Sequence, residues 1–119
     1  MKWPWVVVAS LALGAAARAD ETGSTELQKC KICHAFDAAG GNRVGPDLHG
    51  VFGRKAGTAP GFNFSDAMKN SGIVWDEQSL VAFLGDPKAS LPGNRMSFPG
   101  IKDEAMLHDL LQQLKQATQ

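Results

Sequence analysis

Residues 28–36 read QKCKICHAF, with Cys30 and Cys33 two residues apart and His34 directly after the second cysteine. Three chemistries use such a pair: a redox dithiol, half of a zinc site, or, with the adjacent histidine, the attachment site of a c-type haem. A dithiol of the redox kind belongs at a helix start in a βαβ setting. Structural zinc wants four ligands, and neither His49 nor His108 has a second ligand at suitable spacing. A Cys30–Cys33 disulfide would close too small a loop to staple a domain. Haem attachment explains more of the chain. Each thiol forms a thioether to one vinyl group, and His34 then lies under the iron as a proximal ligand.

The surrounding chain supports a bulky group in the core. Its 119 residues make one domain. Lys2 and the apolar run 6–16, followed by Ala17-Arg18-Ala19, fit a cleavable signal peptide covering residues 1–19, with the domain at 20–119; an uncleaved anchor over residues 3–19 is the alternative. Export to the periplasm is the expected destination. Removing the leader takes Lys2 and Arg18 and leaves a net charge of −2, too balanced for a nucleic-acid binder. Gly40-Gly41, Gly45-Pro46, Pro60-Gly61, Pro92-Gly93 and Pro99-Gly100 mark much of residues 38–62 and 85–100 as loop. Loops of that extent in a small domain need a staple.

The periodicity predicts an all-α domain with four helical segments. They cover residues 22–34, 66–70 with Ser65 as cap, 77–84 with Asp76 as cap, and 103–117. Leu80, Val81, Phe83 and Leu84 give the third its buried side, and Gly85 and Pro87 are expected to stop it. Met106, Leu107, Leu110, Leu111, Leu114 and Ala117 make one apolar stripe on the last.

Haem attachment raises the question of a second axial ligand, for which four methionines are available. Met1 is in the leader, Met106 is on an apolar stripe, and Met68 is in a short helix. Met96 sits in the loop ASLPGNRMSFPG between two Pro-Gly pairs and belongs to no helical stripe, so it is the expected second axial ligand.

Six ordered motifs carry a resemblance: CKICH at 30–34, GPDLHGVFGRKAG at 45–57, GFNFSDAMK at 61–69, IVW at 73–75, FLGDPK at 83–88 and LPGNRMSFPGI at 91–101. With them the chain resembles the class I c-type cytochromes, above all the short mitochondrial-like members of the bacterial periplasm. The resemblance implies a small all-α fold of about four or five helices and long loops around one covalently bound haem c. It also implies roles for further residues. Pro46 matches a proline whose carbonyl accepts the second ring proton of His34, and Leu48 a residue packed on the haem. Arg54 and Trp75 match groups that neutralise or hydrogen-bond a buried propionate. Gly23 and Leu27 match the crossing of the first and last helices. Phe64, Phe83 and Met68 stand where relatives carry polar groups, which implies a drier pocket. Met68 adds a second sulfur that would compete for the iron if the Met96 loop opened.

The implied function is one-electron carriage rather than catalysis. Implied partners are a quinol-oxidising cytochrome bc complex, a terminal oxidase, a photosynthetic reaction centre or a periplasmic dehydrogenase. They would dock at Lys29, Arg43, Lys88, Arg95 and Lys102 around the haem edge, and the protein would be a monomer. A fixed haem subunit of a larger oxidoreductase, or a haem sensor or peroxidase-like enzyme, are the competing classes.

Overall fold

The computed structural model describes Lys2, Pro4 and residues 19–119, with side-chain surroundings from Thr25 onward. The expected leader apart from these residues, and the surroundings of Gly23, lie outside what is described. Among the described residues there are five helices: α1 (Ala19–Cys33), α2 (Asp66–Lys69), α3 (Glu77–Gly85), α4 (Pro87–Ser90) and α5 (Glu104–Thr118). The extended structure described is an isolated antiparallel bridge between Lys55 and Val74. None of the described helices is long and apolar enough to cross a membrane.

Local chemistry sets the helix ends. The Ser65 hydroxyl accepts from the Met68 amide at 3.2 Å and starts α2, while Asn70 caps its far end. Asp76 and Ser79 form a reciprocal capping box at the start of α3, each side chain bonding the other's backbone amide at 2.8 and 2.9 Å. Asp103 accepts from the Met106 amide at 3.0 Å and opens α5.

α4 departs from the expectation of loop after Gly85. Pro87 does not merely end α3, because it occupies the first position of the next helix. Its fixed φ suits a first turn, and the amide it lacks would have had no partner there. Asp86 caps this helix through the Ala89 amide at 3.1 Å. Residues 19–21 already belong to α1, ahead of the predicted start at position 22.

The core runs along α5. Leu107, Leu110, Leu111 and Leu114 are all buried, and they meet Leu27 of α1, Leu80, Phe83 and Leu84 of α3, and Val51, Ala56, Trp75 and Ile101 from the connections. Leu27 therefore lies in the α1–α5 contact, as the resemblance implies. Full burial of each leucine contributes about 1.5–3 kcal/mol. The apolar stripe closes differently from the expectation. Thr118 is 1% exposed, whereas Ala117 faces solvent. Position 118 lies one turn beyond Leu114 on the same face, and burial of its hydroxyl is tolerated because it donates to the Leu114 carbonyl at 2.8 Å. The Gly50 amide then donates to the Thr118 carbonyl at 2.7 Å and ties the long 45–57 loop to the end of α5.

Candidate functional site

The last turn of α1 carries Cys30 and Cys33, both half-buried and not bridged to each other, with Cys30 packed against the core. Burial, and then the nearby Glu26 carboxylate, push the Cys30 thiol up to about 11. Its position at the helix C-terminus, the negative end of the dipole, also disfavours a thiolate. Reactive dithiols need the opposite environment. The surroundings of Cys30 therefore disfavour the redox-dithiol reading. No group of three or more histidine, cysteine or acidic side chains able to hold a metal occurs among the described residues, which leaves the zinc reading without its ligand set.

His34 ends this turn and is 9% exposed. Its Nδ1 lies 2.7 Å from the Pro46 carbonyl oxygen, which can only accept, so Nδ1 carries the proton and Nε2 keeps its lone pair. Burial holds the imidazole pKa below its ordinary value, partly offset by the Pro46 bond, and the Arg54 charge adds to the depression. A neutral, singly protonated ring with a fixed orientation is the state required of a metal ligand.

The loop that supplies Pro46 is clamped on both sides of the ring. Gly45 donates its amide to the Cys33 carbonyl at 2.8 Å, and Leu48 donates to the Ala35 carbonyl at 2.9 Å. Gly45 is itself pressed against the imidazole. A Cβ there would overlap Cε1 and stand 2.6 Å from Nδ1 and 2.8 Å from Nε2. The Gly45-Pro46 pair is legible as a turn, but this steric demand for glycine is not, since it arises only once the loop folds over His34.

Arg54 and Trp75 are brought side by side through their backbones. Trp75 donates to the Arg54 carbonyl at 2.9 Å, next to the Lys55–Val74 bridge. Trp75 is buried against Phe83, with ring centroids 5.1 Å apart. The Arg54 guanidinium donates to the carbonyls of Asp47 at 2.7 Å and His49 at 3.2 Å. Desolvation lowers its pKa, partly countered by Asp47. Two of its five N–H groups thus brace the loop that orients His34, and three remain for another partner.

Met96 lies in the connection between α4 and α5, half-buried and packed against the same core as Cys30, Leu48, Met68 and Phe98. Hydrogen bonds join His34, Pro46, Leu48 and Arg54 into one unit, while Met96 reaches the core by a separate route. Its amide is held at 2.9 Å by Oδ1 of Asn94, a residue the sequence reading did not single out. Downstream, Ile101 donates to the Leu84 carbonyl at 2.9 Å, and Gly100, with φ +100°, fits where a Cβ would collide with the Gly85 backbone.

The donor set fits a covalently bound haem. Two thiols one helical turn apart adjoin a neutral imidazole with a free Nε2 lone pair, and the Cys30 thiol and the Met96 thioether pack against one apolar core. The flanking cations are more engaged than the expected docking ring required. Lys29 pairs with Glu26 at 2.9 Å, Lys102 donates to the Gly85 carbonyl at 2.7 Å, and Arg43 reaches the carbonyls of Lys31 and Ile32 at 3.1 and 3.5 Å. Ile32 and Val44, 70% and 78% exposed, are large apolar side chains beside this region.

Comparison with known proteins gives consistent matches. Cytochrome c2 of Blastochloris viridis is 45% identical over 112 residues, covering 94% of this chain and 87% of that protein. Cytochrome c-550 of Bradyrhizobium diazoefficiens is 50% identical over 88 residues, covering 74% of this chain and 65% of that protein. Among solved structures, cytochrome cH from Methylobacterium extorquens superposes with a TM-score of 0.74 at 45% identity, over 82% of this chain and 97% of that one. No protein-family model matches the chain.

Proposed function

The chain belongs to the class I c-type cytochromes, and we propose that it works as a soluble periplasmic electron carrier using His34 and Met96 as its axial ligands. When bound, the haem c supplies one iron that exchanges a single electron. Everything else is done by the chain. Cys30 and Cys33 hold the group through thioethers, so an exported protein does not lose it. His34 offers Nε2 because Pro46 occupies its other nitrogen, and that outer bond raises the basicity of the ligand. The Met96 thioether favours the reduced state relative to a second histidine. Leu48, Phe83 and Met68 exclude water. The N–H groups that Arg54 has left, with the Trp75 indole, receive a propionate.

A haem iron held by both His34 and Met96 would have no position left for a substrate, which favours carriage over catalysis. The observation that carries this reading is the 2.7 Å contact between His34 Nδ1 and the Pro46 carbonyl, directly after the Cys30–Cys33 turn of α1. Residues 1–19 act as a cleavable export signal in this reading, with the domain at 20–119.

The partners are redox proteins: a quinol-oxidising cytochrome bc complex or a periplasmic dehydrogenase as donor, a terminal oxidase or reaction centre as acceptor. The docking face uses Lys29, Arg43, Lys88, Arg95 and Lys102. Because Lys29 and Lys102 already meet Glu26 and Asp86, and Ile32 and Val44 add apolar surface, contact there is part apolar. Electron-transfer rates with an acidic partner are therefore expected to fall only shallowly as ionic strength rises. A steep fall in stopped-flow rates would show that charge dominates instead.

The deciding experiment is an absorption spectrum of protein matured with haem and purified from the periplasm. The expected result is a weak band at the red end of the oxidised spectrum that is lost in Met96→Ala, sharp reduced bands, and no response to carbon monoxide. A spectrum without that band, shifting with carbon monoxide, would replace carriage by ligand binding or enzymatic chemistry.

A further inference from the structure

One side chain holds the Met96 segment to the body of the protein from its upstream side. Leu91-Pro92-Gly93-Asn94 forms a type II turn, with Gly93 at φ +88° and the Asn94 amide donating to the Leu91 carbonyl at 3.1 Å. The turn directs the half-buried Asn94 side chain back over α4. Its Nδ2 donates to the carbonyls of Pro87 and Leu91, both at 2.8 Å, and its Oδ1 accepts from the Met96 amide at 2.9 Å. Both ends of the side-chain amide are thus used. Rotating it by half a turn would set an oxygen against two carbonyls and an NH2 group against an N–H, so one orientation is fixed. The other backbone bond of Met96 is local, its carbonyl accepting from the Phe98 amide at 3.1 Å.

We infer that Asn94 is the positioning residue for the sixth ligand, transmitting the rigidity of α4 to the Met96 thioether. The inference rests on the His34/Met96 reading above. Other residues reach the same connection but differ in kind. Lys102 and Ile101 pin its downstream end to α3 without touching Met96. Asp86 caps α4 and acts on Met96 only through Asn94. Aspartate at position 94 would keep the acceptor for Met96 but place a carboxylate against the Pro87 and Leu91 carbonyls. Serine is too short to reach α4 yet can still accept from an amide two residues on. The residue needs an acceptor and two donors together, which asparagine provides.

The test titrates imidazole, a small external ligand, into the oxidised holo-protein and follows the red-end absorption band. Each lost hydrogen bond shifts an opening equilibrium by roughly three- to tenfold, so imidazole affinity in Asn94→Ala is expected to rise at least about tenfold. Asn94→Ser is expected to fall between Asn94→Ala and the wild type. A core variant, Leu110→Ala, lowers global stability and is expected to leave imidazole affinity at the wild-type value. Amide hydrogen exchange gives a second readout: the Met96 amide should be protected in the wild type, which needs no substitution to check, and should exchange faster in Asn94→Ser. If Asn94→Ala or Asn94→Ser keeps the wild-type band and imidazole affinity, the assignment is overturned while His34/Met96 ligation stands. An unprotected Met96 amide in the wild type overturns it equally, even if Asn94→Ala fails to fold. A wild-type spectrum unchanged by Met96→Ala removes the ligation reading and this inference with it.

Discussion

Replacing Gly45 by alanine adds one methyl group at the place where the site has least room. The new Cβ would overlap Cε1 of His34 and stand 2.6 Å from Nδ1 and 2.8 Å from Nε2. Ordinary contact needs about 3.5–4.0 Å, so ring or loop must retreat by roughly an ångström. If the ring moves, the 2.7 Å bond to the Pro46 carbonyl breaks, leaving a buried imidazole N–H unpaired at about 1–3 kcal/mol. If the loop moves, the Gly45-to-Cys33 bond at 2.8 Å is strained, and overpacking of this kind costs about 1–3 kcal/mol. Whichever gives way, Gly45→Ala is therefore expected to destabilise the holo-protein by about 1–3 kcal/mol, a sizeable part of a typical domain's stability. The assay is denaturant unfolding with the absorption spectrum recorded alongside. Gly85→Ala is the control, because a Cβ there meets Leu107 Cδ2 at 3.8 Å and the Ile101 carbonyl at 3.9 Å, ordinary contacts, and no loss is expected. If Gly45→Ala unfolds at the wild-type denaturant concentration with an unaltered spectrum, glycine is not required under the ring and the account of how His34 is held is wrong.

Leu110, 0% exposed at the centre of α5, is expected to cost about 2–5 kcal/mol when cut to alanine, read as a lowered denaturation midpoint with an unchanged slope. The carboxylates of Asp76 and Asp86 are held below their ordinary range, in each case first by a backbone amide of the helix they cap. A depressed folded-state pKa means that their stabilisation is complete above the unfolded carboxylate value of about 4 and is lost as pH falls below it. The acid limb of stability against pH should therefore flatten in the Asp76→Asn, Asp86→Asn double variant; an identical limb would show that other groups set it. Met68 is not expected to replace Met96. Its helix is pinned by Ser65, by the Ser71 hydroxyl on the Met68 carbonyl at 2.9 Å, and by close approach to Gly57, so a thioether band surviving in Met96→Ala and vanishing on adding Met68→Leu would refute this.

What the sequence made legible divides along physical lines. α3 and α5 are readable because side-chain caps and apolar spacing are local properties of the chain. α4 is not, because proline is compatible both with ending one helix and with opening the next, and only the Asp86 cap decides between them. Thr118 escapes the apolar stripe because hydropathy does not register that its hydroxyl can be satisfied one turn back. Cys30, Cys33, His34 and Met96 stand out by element type and spacing. Gly45 and Asn94 do not, since each matters through groups brought to it by folding: an imidazole 11 positions earlier in one case, the carbonyls of Pro87 and of the α4 cap residue Leu91 in the other. Lys29, Arg43 and Lys102 read as free surface charge and are instead partly committed to neighbours, a distinction that composition cannot make.

The two sides of the site are held in unequal ways. On the histidine side the constraint is redundant: the end of α1, the Gly45 and Leu48 amides, the Pro46 carbonyl and the Arg54 brace all act on one loop, and losing any single bond leaves the others. On the methionine side the upstream anchor of the ligand is one side chain, with the downstream anchors at Ile101 and Lys102, five and six residues further on. Regions with fewer independent bonds open at lower free energy than the redundantly bonded core. The order of events under stress follows: the Met96 segment releases first, with α5 and the His34 loop still folded. Carriage of an electron asks for little movement at either ligand, so in normal turnover the single anchor suffices. On the proposed ligation, the same asymmetry makes the methionine side the place where denaturant or an external ligand is expected to register first, and Asn94 the position where one substitution is expected to admit imidazole.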